Sequence, residues 1–284
     1  MSDLSLIKEL REKTGAGFLD CKNALSENEN NIEQSIDSLR KKGLAKATKK
    51  SSREANEGAI GFYKNENISV IIKINSETDF SAKSDTFLDF LDNIGAIALN
   101  TNNEDLSLND FLKVEDSGKN ISDLLTEMIA KIGENLIISY LKIFDNKETK
   151  VNYYIHNPYR KNIGKIVSAV FYSSEEENDE VKKFSKNLCM HIAASKPEAM
   201  DIDKLPVELI ENEKKIQEDM IKDSGKPSNV MEKILDGKMK KFYSEVTLLN
   251  QSFVIDPDKT VKEAISEFNS SNNLILKNYI LTTL

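Results

Sequence analysis

Three observations in the sequence predict an α+β fold. Apolar residues in the opening segment recur at three- and four-residue spacing, as on one face of a helix. The stretch NISVIIKIN alternates Ile68, Val70, Ile72 and Ile74 with Ser69, Ile71, Lys73 and Asn75, the period of a strand covered mainly on one face. Further strand-like runs are interleaved with helical ones without the strict alternation of a parallel sheet.

The opening segment reads as three short helices. Leu6, Ile7 and Leu10 make the first stripe, Thr14-Gly15-Ala16-Gly17 breaks it, and a second helix runs from Phe18 with Cys21, Ala24 and Leu25 inward. After a polar turn from Ser26 to Asn31, the spacing of Ile32, Ile36 and Leu39 predicts a third helix that stops at Gly43. So small a bundle is near the lower limit for independent stability and is expected to lean on another part of the chain. From Arg40 to Arg53, RKKGLAKATKKSSR is basic and weakly apolar. It suits either a solvated hinge or an RNA-contacting arm, and the lack of interleaved aromatic residues for base stacking favours the hinge.

GAIGFY and NISVIIKIN then form a hairpin, followed by NSETDFSAKS, in which Phe80 stands among residues that mostly prefer water. Phe87, Leu88, Leu91, Ile94 and Leu99 carry helical spacing, so this stretch joins a strand to a helix. Thr78 or Asp79 could cap that helix with Phe80 folded back as a hydrophobic staple, or Phe80 could point outward. A further helix from Ser122 contains Leu125, Met128, Ile129 and Ile132.

LIISYLKIF, VNYYIH and KIVSAVFY read as strands with a turn around Asn157-Pro158-Tyr159, and VKKFSKNLCMHIAAS as a helix. Beyond Pro197 and Pro206 come two charged helices, about Val207 to Asp223 and Pro227 to Tyr243, separated by Ser224-Gly225-Lys226. Met231, Leu235, Met239 and Phe242 give the second a narrow apolar stripe, the seam of an antiparallel helical hairpin. That seam serves either internal packing or a partner. The tail from Thr247 has strand, helix and strand character.

Composition bounds the function. With 284 residues, 39% hydrophobic and 30% charged, the chain can bury a core and divide into more than one unit. No apolar run approaches the roughly 20 residues of a membrane span, and MSDLSLIKEL lacks the pattern of a signal peptide, so a soluble protein that stays where it is made is expected. A net charge of -8 argues against bulk nucleic acid as the partner. Cys21 and Cys189 are far apart and read as reduced structural thiols; His156 and His191 have no neighbouring ligand for a metal. Phosphate-cradling glycine loops and a serine-nucleophile elbow are missing. Cys189 and His191, at i and i+2 of a helix, face different ways. An enzyme, a metal and a cofactor are therefore not expected.

Six stretches in order resemble the elongation factor Ts family, whose members exchange nucleotide on the translational GTPase elongation factor Tu: LIKELREKTGAGFLDCKNAL, ETDFSAKS, KIGENL, MHIAASKP, SGKP and EKILDGKMKKFYSEVTLLNQSFV. The resemblance covers nearly the whole chain. It implies an N-terminal ubiquitin-associated-like three-helix domain with its basic linker (1–54), two core subdomains (55–146, and 147–196 with 244–284) and an inserted helical hairpin (197–243). Thr78, Asp79, Phe80 and Ser81 would match the loop that disturbs the partner's magnesium and phosphate site, with Phe80 as an apolar wedge. Leu10, Phe18, Leu19 and His156 would be further partner contacts; for His156 a structural role is the alternative. His191 reads as core.

The family also implies a cytoplasmic protein with no direct nucleic-acid binding, and leaves room for a homodimer within a two-to-two complex. Three departures qualify the match. Ser81 stands where the family usually has Val, which would remove apolar area beside the wedge. YRKNIGKIVSAVF is less regular than the family's pattern. The chain ends at Leu284, where many members continue into an acidic helix that touches the partner, so that contact is expected to be absent.

Overall fold

The structure is a computed structural model that describes residues 3–14, 16–222 and 227–284. It opens with three helices, α1 (Asp3–Thr14), α2 (Phe18–Glu27) and α3 (Ile32–Lys50). Ile7, Leu10, Cys21, Ala24 and Leu25 form their buried core, and Leu6, Ile32, Ile36 and Leu39 pack against it. These are the residues that the helical spacing selects. Gly15, part of the predicted break, lies outside the described residues.

Contrary to expectation, the third helix does not stop at Gly43: α3 runs on to Lys50. Lysine and alanine favour helix, and Gly43 lies against a neighbouring helix, where a β-carbon would come within 3.0 Å of the Ala130 Cβ. Gly43 thus permits a close helix contact rather than ending a helix. Arg40 Nε lies 3.6 Å from Glu127 Oε1, and Lys50 Nζ donates to the Gly133 carbonyl. The basic stretch as far as Lys50 is therefore a docked helix, not a hinge or a free arm.

Next come β1 (Glu57–Lys64) and β2 (Ile68–Ser76), antiparallel from Glu57↔Ser76 to Lys64↔Ser69. After α4 (Asp79–Ala82), α5 (Asp85–Thr101), α6 (Leu108–Phe111), β3 (Glu115–Asp116), β4 (Lys119–Asn120) and α7 (Ile121–Ile132), β5 (Leu136–Asp145) pairs with the other edge of β2. Val70, Ile71, Ile72 and Ile74 are all fully buried, so β2 is covered on both faces rather than mainly one. A central strand has no solvent edge, and Ile71 on its second face is the residue that breaks simple alternation. Phe87, Leu88, Leu91 and Ile94 of α5 join Ile72 and Ile74 in one apolar cluster.

A hairpin follows, β6 (Lys150–Arg160) with β7 (Ile163–Ser174). The turn predicted at Asn157-Pro158-Tyr159 lies inside β6, and the chain reverses at Lys161-Asn162 instead. Asn157 does adopt the left-handed conformation that signals a turn, φ 51°, but it only bends the strand. Arg160, at the strand end, donates to the carboxylates of Asp85, Asp89 and Asp92 on α5.

The remainder comprises α8 (Asp179–Ser195), α9 (Val207–Lys222), α10 (Ser228–Val246), β8 (Ser252–Phe253), β9 (Asp256–Thr260), α11 (Val261–Phe268) and β10 (Leu274–Thr283). β10 pairs antiparallel with β7, from Leu274↔Ser174 to Thr283↔Ile166. A second cluster gathers Tyr172, Leu188, Ile192, Leu248, Phe253, Val261 and Leu274. α9 and α10 form the helical hairpin, where Ile221 and Met239 are buried and Lys238 Nζ donates to Gln217 Oε1 at 2.7 Å. Met231, Leu235 and Phe242 of the predicted stripe are partly buried. Ser224-Gly225-Lys226 lies outside the described residues, while Pro227 occupies the N-cap of α10.

Contacts divide the chain into two compact units. One holds the described residues up to Asp145, with Asn157–Lys165 and Leu284; the other holds Asn146–His156 and Ile166–Thr283.

Candidate functional site: an exposed phenylalanine on a capped turn

Between β2 and α5 the chain makes two caps in series. Thr78, extended at φ −128° and ψ 154°, is the N-cap of the short α4, and its hydroxyl oxygen accepts the Ser81 N–H at 3.2 Å. Ser84 then caps α5, accepting the Phe87 N–H at 3.3 Å. Each cap satisfies a backbone donor that the first turn of a helix leaves without a partner.

Phe80 sits on this turn and is 83% exposed. It is not a staple folded back on the helix. A solvated phenyl ring on a fixed backbone forgoes the roughly 1.5–3 kcal/mol that burial of such a side chain provides, which makes it ready to enter another surface. Ser81, by contrast, is buried. Ser81 lines the same shallow depression as Phe80.

Asp79 Oδ2 accepts a hydrogen bond from Lys83 Nζ at 2.7 Å, one helical turn on. That bond, with the ammonium charge behind it, holds the Asp79 carboxyl below the usual carboxylate range. Lys83 Nζ also lies 5.8 Å from the Tyr159 ring centroid.

The three helices carry a second exposed apolar group. Phe18 is 46% exposed and Leu19 67%, at the start of α2, and Leu4 is exposed as well. Leu4 and Phe18 line a groove with Ile7, Lys8, Arg11 and Glu12. Leu10, expected to be a partner contact, is instead fully buried and supports this surface from inside.

His156 is exposed on β6, with Nδ1 3.2 Å from the Tyr154 hydroxyl on the same strand face. His191 is fully buried. Its Nδ1 accepts the Val254 N–H at 3.2 Å, so the ring proton sits on Nε2 and is donated to Gln251 Oε1 at 3.0 Å. Burial pushes its pKa down, partly offset by the Gln251 bond. Cys189 Sγ donates elsewhere, to the Asn152 carbonyl at 3.3 Å. Two buried side chains aimed at different partners do not make a thiol active site. Among the described residues there is no group of three or more His, Cys, Asp or Glu side chains that could hold a metal, and no helix is long and apolar enough to cross a membrane.

Sequence reasoning missed two features. Val254 and Ile255, 48% and 46% exposed, sit between β8 and β9; the signal was an apolar pair directly before Asp256-Pro257, where a turn is due. It also missed two carboxylates beside the Phe80 turn, Glu134, which accepts the Thr78 N–H, and Glu77, which accepts the Asn135 N–H.

The unit that holds β1, β2 and α5 thus presents an exposed apolar side chain on a capped turn of an α+β scaffold. The family model described as elongation factor TS matches residues 77–282. Elongation factor Ts of Allorhizobium ampelinum is 39% identical over 263 residues, 93% of this chain and 85% of that protein. The Rhizobium meliloti protein of the same name is 38% identical over 267 residues, covering 94% and 87%. That of Magnetococcus marinus is 39% identical over 261 residues, covering 92% and 84%. The chain belongs to the elongation factor Ts family, and its role is that of a translation elongation factor.

Proposed function

We propose that this protein binds elongation factor Tu carrying GDP and promotes GDP release by inserting Phe80 beside the partner's magnesium and phosphate site. The observation that carries the reading is the 83% exposure of Phe80 on a doubly capped turn. Phosphates bound through backbone cradles and a Mg²⁺ ion are lost when either is displaced slightly. Burial of one phenyl ring, about 1.5–3 kcal/mol, is enough to weaken the nucleotide about 10- to 100-fold if it is gained only in the displaced state. Reciprocity then requires bound nucleotide to weaken this protein's hold by the same factor, so incoming GTP releases it. No covalent bond changes, which is why neither an acid, a base nor a nucleophile is needed.

In this reading residues 1–54 are a ubiquitin-associated-like docking module using Phe18 and Leu19. Residues 55–146 carry the wedge, 147–196 with 244–284 form the second half of the core, and 197–243 is a coiled-coil hairpin. His156 is a further contact, and the protein works in the cytoplasm.

The test is release of a fluorescent GDP analogue from purified elongation factor Tu, with this protein, with Phe80→Ala and with neither. Strong acceleration that falls at least tenfold in the variant, about 1.4 kcal/mol of lost differential binding, is expected. No acceleration by the intact protein sinks the reading; equal acceleration by both returns Phe80 to the background.

A further inference from the structure

We infer that Glu134, on the turn between α7 and β5, is the positioning residue of the Phe80 wedge. The inference rests on the exchange reading above. The last paired residues of the β2–β5 ladder are Ser76 and Leu136. Beyond them the two chains part, and each supplies a carboxylate to the other's backbone. Glu134 Oε2 accepts the Thr78 N–H at 3.0 Å, while Glu77 Oε1 accepts the Asn135 N–H at 2.7 Å. The two segments are clasped reciprocally.

Glu134 does more than close a ladder. Its other oxygen, Oε1, accepts the Thr78 hydroxyl proton at 2.7 Å. A hydroxyl has one proton, so donating it to Glu134 turns the oxygen lone pairs toward the Ser81 N–H, which Thr78 caps at 3.2 Å. The carbonyl of Thr78 accepts from Ser76 Oγ at 2.9 Å and from Ala82 N at 3.2 Å. Every polar atom of Thr78 is engaged, and the two engaged as donors both end on Glu134. Charged acceptors make such bonds stronger than neutral ones, and linked bonds reinforce one another.

The same turn is tied to the chain that leaves the three helices. Lys50 Nζ donates to Gly133 O, Asn135 Nδ2 donates to Arg53 O at 2.7 Å, and Arg53 Nη1 lies 3.4 Å from Glu77 Oε2. The exit of α3 and the start of the wedge turn thus share one anchor. Removing Glu134 frees the wedge without touching an exposed apolar contact. Its effect therefore falls on how fast bound partner loses GDP, not on how tightly partner is held.

The experiment measures GDP-analogue release across a titration of this protein, giving a maximal rate and a half-saturating concentration. It compares the intact chain with Glu134→Ala, Glu134→Gln and Phe80→Ala. Amide hydrogen exchange is followed on each free protein. For Glu134→Ala the maximal rate is expected to fall about tenfold with the half-saturating concentration within about threefold. Exchange at the Thr78 and Ser81 amides should rise while that of β1 and β2 stays intact. Glu134→Gln, which keeps one acceptor oxygen but loses the charge and the second acceptor, should recover only part of the rate.

An unchanged maximal rate in Glu134→Ala, or unchanged protection at Thr78 and Ser81, overturns the inference while the exchange reading stands. Loss of protection throughout β1 and β2 overturns it too, because Glu134 is then a general stability residue. If the intact protein releases no GDP, the exchange reading itself fails and this inference falls with it.

Discussion

Gly43 and Ala130 meet where α3 crosses α7, so closely that a β-carbon on Gly43 would stand 3.0 Å from the Ala130 Cβ. This contact docks the three-helix segment on the helix that leads to Glu134. It also supplies the support that so small a bundle lacks by itself. A larger side chain there must push the helices apart. Gly43→Leu is expected to cost about 1–3 kcal/mol through overpacking, despite leucine's better helix propensity. Urea denaturation checks the loss, and limited proteolysis should cut between Lys50 and Glu57 faster in the variant. A gain in stability would mean that α3 is not held against α7.

Thr78 and Phe80 are neighbours on one turn with opposite expected phenotypes. Thr78→Ala loses a cap and should destabilise the chain by about 1 kcal/mol, with Thr78→Ser largely restoring it. Phe80→Ala removes an exposed ring and should change stability by no more than about 0.5 kcal/mol. Chemical denaturation of the three variants decides. A loss of 2 kcal/mol or more in Phe80→Ala would show that the ring is packed.

His191 gives a pH signature. Burial lowers its folded pKa below the ordinary value of 6.5, so the unfolded chain binds a proton before the folded one does. Its contribution is complete above about pH 6.5 and is lost as the pH falls from there through the lower folded value. Stability measured by denaturant between pH 7.5 and 5.5 should therefore decline. In His191→Gln, which keeps a donor toward Gln251, that part of the slope should vanish. An identical slope in the variant would assign the decline to other groups.

Much of this molecule is legible in its residues, because the signals are local. Helical spacing marks Ile7, Leu10, Cys21 and Leu25 as one core, and alternation marks the β1–β2 hairpin, since each reflects the period of its own element. The Thr78 cap could be read the same way, from a threonine directly before a helical run. The comparisons add the family, which no periodicity supplies.

Other features needed distant parts of the chain brought together. Gly43 looks like a helix stop until α7 lies against it, and Asn157-Pro158 looks like a reversal until Arg160 is tied to three aspartates of α5. Leu10 and Phe18 are both apolar residues of the same segment, yet one is sealed and the other open. Sequence alone determined which residues are apolar, which can cap and which can bend, because these are properties of a residue and its near neighbours. Only the tertiary structure decided that Phe80 stays in solvent and that Glu134, 56 positions beyond Thr78, holds it there. Exposure and long-range hydrogen bonding depend on which surfaces the folded chain brings face to face.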